Sequence, residues 1–407
     1  MKFAQLAFKI LEDKINERKS LDEIVSLIEE ESKNGKIAFC PCSRYARNII
    51  MYIKREKPFL MDSIIACFDR SDNVNFDEDV ETKTINDIPN YAEDISLLII
   101  ASNTYYEREE KLVSNTGKVP KNILKLSYFD YSLTEQNTQD ILSQIRDVYN
   151  LFQDEKSKAT YLMVWLSKVL NDESLTYLFE PEEEFTFNDG PLEYKGHTID
   201  YMDNVCKHEL LAELYEMKYL KPERGDVIFD VGGYKGDTAI FFASRVGEEG
   251  RVFSFEPITA NFNHFNENIA NNNLQNVVTC INMGCSDTTT IAKAVSIDCG
   301  APWSFVSEDI GNIDIKLTKI DDFIKDNNMN KLDFIKMDVE GFEENVLLGA
   351  KESIQKFKPK MVVPLYHNTD DLITLPKLVQ SLGSYKFYLR CKMEGPYSIN
   401  LYCKPVK

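Results

Sequence analysis

The sequence predicts an α/β protein. Its main part reads as a doubly wound sheet of seven strands with the last one antiparallel, preceded by a smaller α/β unit and a helical connector. Three observations predict this. From residue 227 onward, short apolar runs alternate with segments of helical period (VIFD then TAIFFASRV, RVFSFEP then FNHFNENIANN, LDFIKMD then EENVLLGAKESIQKF, KMVVPLYH then LPKLVQSL), the pattern of strands joined by crossover helices. A glycine-punctuated turn follows VIFD at 227–230, where a doubly wound sheet places its ligand loop. The last two apolar runs, KFYLRCKM and SINLYC, have no helix between them, so the final strand returns antiparallel.

The elements are justified in order along the chain. Residues 1–35 read as amphipathic helices, since apolar residues recur at helical spacing and acids appear from position 12, unlike a signal peptide. Residues 36–135 read as a small Rossmann-like α/β domain with strands KIAFC, DSIIACFD and ISLLIIAS and a helix in RYARNIIMYI, closed by the segment NILKLSYFDYS. Residues 136–204 read as a helical connector and a polar, acidic surface segment. In them, Asn137 to about Leu170 contains no Gly or Pro. The sheet domain occupies 205–407, introduced by a helix in HELLAELYEMKYL.

Composition narrows the function. Lys and Arg number 47 against 66 Asp and Glu, a net charge of −19, which argues against nucleic acid and anionic membrane surfaces as partners. Nine scattered cysteines without a C-x-x-C pair, and no apolar stretch of spanning length, point to a reducing, cytoplasmic setting with no membrane segment. A homo-oligomer is compatible with all of this.

The turn VIFDVGGYKGDTA carries Asp230, Gly232, Gly233, Tyr234, Gly236, Asp237 and Thr238. A dinucleotide fingerprint requires glycine where Tyr234 stands, so the spacing D-x-G-x-x-x-G suits another anionic-ended cofactor held by a tight turn and a helix N-terminus. Glu256 ends the next strand, where a ribose presents its hydroxyls. Ser286 and Asp287, in GCSD, stand where an adenine amino group is bound. Asp338 and Glu340 follow LDFIKM, Gly341 lets the chain turn, and His367 and Asn368 follow the fifth strand at the same edge. Asp338, Glu340 and His367 are the candidate catalytic residues. Histidine suits a general base best because its unperturbed pKa is about 6.5. Glu340 has an equally good reading as a first-turn helix acid. A divalent metal on Asp338, His367 and Asn368 ranks below a metal-free site, since histidine is an unusual ligand for magnesium.

The segments DVGGYKGDTA, VFSFEP, GCSD, LTKIDDFI and above all IKMDVEGFEENVLLGA resemble the FkbM-type family of S-adenosylmethionine-dependent methyltransferases. The resemblance runs from about residue 205 to the C-terminus. It implies a class I methyltransferase sheet, S-adenosyl-L-methionine as cofactor, and methyl transfer to oxygen. By position it assigns Asp230, Gly232 and Gly236 to the cofactor loop, Glu256 to the ribose, Asp287 to the adenine and Asp338 to the methionine or reaction side. YHNTDDLITLP and YKFYLR resemble a subgroup that acts on sugars and glycans, so a sugar, nucleotide-sugar or glycan hydroxyl is the expected acceptor. That subgroup has a histidine where this chain has Cys391. Trp303, in GAPWSF, suits either a sugar platform or a core position.

The front domain resembles the small nucleotide-binding domains of sugar-modifying enzymes, but FCPCSRY stands where its glycine loop belongs. Pro41 lacks an amide hydrogen and Cys40 and Cys42 restrict backbone approach, so assembly or substrate presentation is the expected role. Cys40 and Cys42 read as buried thiols rather than metal ligands. The rival readings are a nucleotide-sugar oxidoreductase using this front domain and a noncatalytic nucleotide-binding protein.

Overall fold

The computed structural model describes residues 2–17, 19–70, 77–101, 106–126, 138–176, 190–202, 204–296, 304–306, 313–392 and 398–406. The chain divides into two compact units, one of residues 1–147 with 161–178 and one of residues 148–160 with 179–407. Among the described residues no helix is long and apolar enough to cross a membrane.

In the first unit, β1 (Lys36–Cys40), β2 (Ile64–Asp69), β3 (Thr82–Thr84), β4 (Ile95–Ala101) and β5 (Ile123–Leu126) form an all-parallel sheet in the order β3-β2-β1-β4-β5. β4 reads ISLLIIA and is buried at six of its seven positions, the continuous apolar run of a strand covered on both faces. The expected strands and the helix at Arg44–Glu56 are all present. The short β3 lay outside the sequence reading, because TKT has no apolar run to mark it.

The second unit opens with a hairpin of β6 (Leu192–Tyr194) and β7 (His197–Ile199). Its main sheet comprises β8 (Val227–Val231), β9 (Arg251–Phe255), β10 (Val278–Ile281), β15 (Phe334–Met337), β16 (Lys360–Pro364), β17 (Tyr385–Cys391) and β18 (Ile399–Pro405). The order is β10-β9-β8-β15-β16-β18-β17, parallel throughout except for β18, which runs antiparallel to both neighbours. The seven strands and the antiparallel last one are as expected. A further sheet was not foreseen: β11 (Gly284–Cys285), β12 (Thr290–Ser296), β13 (Ser304–Val306) and β14 (Ile313–Thr318), ordered β11-β14-β12-β13. The single run VVTCINMGC is therefore two strands in two sheets.

Three helical expectations also change in detail. The connector is two helices, Thr138–Leu151 and Glu155–Leu170. Asp154 starts the second by accepting from the Ser157 amide at 2.7 Å, an N-cap arrangement that ends one helix and begins the next. EENVLLGAKESIQKF is also split, into Glu343–Gly349 and Lys351–Phe357. Gly349 packs so closely that an added Cβ would lie 1.9 Å from the Ser286 carbonyl oxygen. The expected helix in HELLAELYEMKYL ends early, as Asn204–Leu211, and gives way to turns. The domain core gathers Ile228, Phe241, Phe242, Val252, Phe265, Phe334, Val362 and Tyr402, an apolar interior interrupted by the buried polar residues Asp230, Ser254 and Lys336 towards the C-terminal ends of their strands.

Candidate active site

β8 stands between β9 and β15 in the main sheet, and the turn leaving it is packed on three sides. Gly232 has φ +86°, and an added Cβ would lie 1.8 Å from the Asp338 carbonyl oxygen. An added Cβ at Gly233 would meet Ser254 Oγ at 2.2 Å, and one at Gly236 (φ +92°) would meet Phe265 at 2.5 Å. These glycines are required because neighbouring strands and a helix press on the turn, a cause the sequence reading had assigned to a ligand. The Gly232 and Gly233 amides donate to the Phe255 carbonyl at 3.1 and 2.9 Å, and the Tyr234 amide, at φ +45°, donates to Glu256 Oε2 at 3.0 Å. Helix Asp237–Val246 begins at Gly236 with no side-chain cap.

Beneath the turn lies a buried charge network. Asp230 is 0% exposed and accepts from Thr238 Oγ1 at 2.8 Å and Ser254 Oγ at 2.7 Å. Lys336, 1% exposed in β15, is 3.3 Å from Asp230 Oδ1 and donates to the Gly232 carbonyl. Burial opposes the lysine's charge, but Asp230, Asp338 and Asp237 outweigh it and raise its pKa. Asp230 and Thr238 therefore shape the turn from inside and face no open crevice, which corrects their expected placement against a ligand. Asp237 is also buried at the start of the helix.

Glu256, just past β9, is 5% exposed. Oε1 accepts from the Ile258 amide at 2.8 Å and Oε2 from the Tyr234 amide. Burial pushes its pKa up to about 7. Asn261 Nδ2 also donates to Oε1 at 3.4 Å, so Oε2 is the oxygen that retains a further lone pair. Ser286 and Asp287 lie past β11 in the second sheet. Ser286 Oγ donates to Asp287 Oδ1 at 3.0 Å, and Asn345 Nδ2 donates to the same oxygen at 3.3 Å. They belong to the neighbourhood of helix Glu343–Gly349 and share no hydrogen bond with Glu256.

The tips of β15 and β16 converge. Asp338 accepts from Tyr215 OH at 2.8 Å and Tyr366 OH at 3.1 Å. His367 Nε2 lies 3.4 Å from Asp338 Oδ1 and 3.7 Å from Glu340 Oε2, while Nδ1 is 2.9 Å from Glu343 Oε1. Burial lowers the imidazole pKa, but Glu343, Asp338 and Glu340 together overcome it and raise it to about 10. At neutral pH His367 is an imidazolium. The expectation of a histidine base near pH 7 is thereby corrected: three carboxylates surround it where the sequence displayed a solitary histidine. Burial, with Asp338 and Glu343 adding to it against His367, lifts Glu340 to about 7. Glu340 sits at φ +54°, held in the left-handed region by the turn it shares with Gly341.

Asp338, Glu340 and His367 each offer a ligand atom within 4.8 Å of the others. Asn368, expected in that set, instead donates through its backbone and side chain to Asp371 Oδ2 at 2.9 and 3.2 Å. Cys391 is buried with Sγ 3.4 Å from Ser398 Oγ. Trp303 lies outside the described residues. In the first unit Cys40 is buried and Cys42 half-buried, both as free thiols.

Sequence reasoning missed Lys336, Tyr215, Tyr366 and Glu343. Lys336 carried a signal, a cation inside the apolar strand FIKM, and Tyr366 adjoins His367. Tyr215 had none, as it lies 123 residues from the aspartate it meets.

Residues 230–384 match the family model described as methyltransferase FkbM domain. A search of curated proteins returned no match. Among solved structures, the methyltransferase FkbM from Methylobacillus flagellatus KT is 17% identical with TM-score 0.52, covering 98% of each chain, a likeness of fold. Aeropyrum pernix fibrillarin in complex with natively bound S-adenosyl-L-methionine (12% identity, TM-score 0.32, 56% of this chain and 86% of that one) and a SAM-dependent O-methyltransferase from Thermotoga maritima (14%, 0.28, 49% and 64%) are also similar, with scores too low to speak for a shared fold. The DVEG turn, the strand-tip acids and the glycine turn all fall within residues 230–384, the segment that matches the methyltransferase FkbM domain, and the chain that carries it is a SAM-dependent methyltransferase.

Proposed function

We propose that the acceptor is a hydroxyl group of a sugar, nucleotide sugar or glycan, and that the pocket at the tips of β8, β9, β15 and β16 performs the transfer. The observation that carries this reading is the convergence of Asp338, Glu340 and His367 beside a turn whose Gly232 rests on the Asp338 carbonyl. The sugar part rests on the resemblance of residues 366–376 and 385–390 to glycan-acting relatives. A methyltransferase assignment supersedes the oxidoreductase and noncatalytic readings.

The residues present fit the cofactor. Helix Asp237–Val246 has no side-chain cap, which leaves donors for an anionic group, and Glu256 Oε2, with one donor of its own, has a lone pair for a ribose hydroxyl. Gly232, Gly233, Tyr234 and Gly236 form the turn against which the cofactor would lie, and Ser286 and Asp287 are assigned to its adenine. When bound, it supplies a methyl group on a positively charged sulfur. The protein's part is to hold the acceptor oxygen in line and to remove its proton. Glu340 is the group suited to the proton, since burial brings its pKa to about 7 while 31% of its side chain remains exposed. Asp338 accepts two phenol hydroxyls, and burial with the Asp338 charge holds both tyrosines well above the ordinary range, so Tyr215 and Tyr366 act as donors and not as bases.

The metal-free reading is retained. Asn368, the third ligand such a site would need, is bonded to Asp371 instead, and histidine is an unusual ligand for magnesium. Turnover is expected to survive EDTA, and loss restored by added magnesium would reverse this assignment. The first unit is assigned to assembly or acceptor presentation, because the turn after β1 contains Pro41 and commits the Cys42 amide to Asp69 Oδ2 at 2.8 Å. A screen of nucleotide sugars and short glycans for release of S-adenosylhomocysteine tests the acceptor class. Release with amines or thiols alone would refute it.

A further inference from the structure

The mechanism leaves one acid of the same cluster without a role. Glu343 opens helix Glu343–Gly349 and is 0% exposed. An acid in a first turn is ordinarily explained by the helix dipole, and an exposed position is sufficient for that. Burial of a carboxylate costs far more than the dipole returns unless hydrogen bonds offset it. Two are present, and both reach Oε1: the Val339 amide at 3.1 Å and His367 Nδ1 at 2.9 Å. The donors come from different strand tips, Val339 from the turn after β15 and His367 from the segment after β16. One carboxylate therefore ties together the two loops that carry the site.

The contact also settles the ring. An ionised carboxylate oxygen only accepts, so Nδ1 carries the hydrogen. Nε2 then points at Asp338 Oδ1 and Glu340 Oε2, at 3.4 and 3.7 Å. Neither length is a good hydrogen bond, so these two carboxylates do not set the ring's rotation. The bond to Glu343 does. Asp371, accepting from the amide and side chain of Asn368, braces the residue next to the histidine in the same way.

We propose that Glu343 is a positioning residue, which holds the His367 imidazole with Nε2 directed at the Asp338 and Glu340 carboxylates where the acceptor proton is handled. The arrangement repeats the logic by which a buried acid orients a catalytic histidine through its second ring nitrogen. It rests on methyl transfer in this pocket and is independent of which hydroxyl accepts.

The test is nitrogen-15 NMR of the full chain labelled at histidine, of which there are four, with His367 assigned by its loss in His367→Gln. In the unsubstituted protein Nδ1 of His367 is expected to be protonated and strongly hydrogen-bonded at neutral pH. Glu343→Gln is expected to move that resonance, to leave calorimetric binding of S-adenosylmethionine unchanged, and to lower kcat on the acceptor from the hydroxyl screen roughly 10- to 100-fold. In the His367→Gln background the same substitution is expected to change kcat less than about twofold. An unprotonated Nδ1, an unchanged kcat, or equal losses in both backgrounds would overturn the proposal. If Glu343→Gln does not fold, Glu343→Asp, which keeps the charge and shortens the side chain, is expected to move the Nδ1 resonance and to lower kcat, and no change in either would overturn the proposal. A screen that yields no acceptor counts against the hydroxyl reading, while the spectrum still decides whether Glu343 holds the ring.

Discussion

The turn after β1 and the turn after β8 each leave a strand flanked by two parallel neighbours, and they are finished differently. In each, an acid from the next strand accepts a hydrogen bond from a turn amide: Asp69 from Cys42 at 2.8 Å, Glu256 from Tyr234 at 3.0 Å. After β1 the helix is closed by its own sequence, with Ser43 Oγ accepting from the Ala46 amide at 3.0 Å. After β8 the helix starts at Gly236 with no side-chain cap. The strand on the other side of the central one differs too. β4 is wholly apolar apart from Ser96, whereas β15 carries Lys336 beneath the turn. A parallel sheet with a strand-tip acid is thus scaffold common to both units. What distinguishes the second is an uncapped helix start and a buried cation, which make its turn dependent on outside groups.

The largest expected effect comes from removing that cation. Lys336→Met leaves Asp230 buried without its counter-charge and should cost about 3–5 kcal/mol in urea unfolding of the second unit. A loss below about 1 kcal/mol would show that the network does not distinguish the two turns. Next come the strand-tip acids. Glu256→Gln should weaken binding of S-adenosylmethionine about 10- to 100-fold by calorimetry, the worth of charge-assisted hydrogen bonds of about 1.5–3 kcal/mol. Asp69→Asn should leave it unchanged, and equal losses would erase the contrast. Ser43→Ala should remove about 1 kcal/mol of stability, the usual value of an N-cap, again without altering cofactor affinity.

The smallest effect is the pH dependence. Glu340 has a folded pKa of about 7, above its ordinary 4.5. Between those values the folded state holds more protons than the unfolded one, so stability falls as pH rises through the window and the penalty is complete above pH 7. Glu340→Gln should flatten this fall in thermal melts from pH 4.5 to 7.5. Solvent access to nearly a third of the side chain limits the effect to about 1 kcal/mol. His367 acts in the same direction at higher pH: its stabilisation is full below 6.5 and is lost as pH rises through about 10.

Much of the site was legible before any coordinates. Apolar runs end at Asp230, Glu256 and Met337, and a strand's end together with a crossover helix tells which side chains reach the ligand edge. DVEGFE contained the acids of the active region, although only two of them, Asp338 and Glu340, stood out, because Glu343 resembles any first-turn helix acid until its burial is known. His367 was found but its charge was misjudged. A pKa depends on neighbours within a few ångströms, and its neighbours lie on β15's turn, 24 to 29 residues away in the chain.

By itself the sequence determined the alternation of strands and helices, the antiparallel close of the main sheet and the positions of its strand-tip acids. All of these follow from periodicity and from the local demands of turns, which act over a few residues. Tertiary structure alone decided that Lys336 neutralises Asp230, that Tyr215 and Tyr366 clamp Asp338, and that Glu343 reaches His367. Those are contacts between segments far apart in the chain, and electrostatic interactions take their sign and size from distance and burial rather than from sequence spacing.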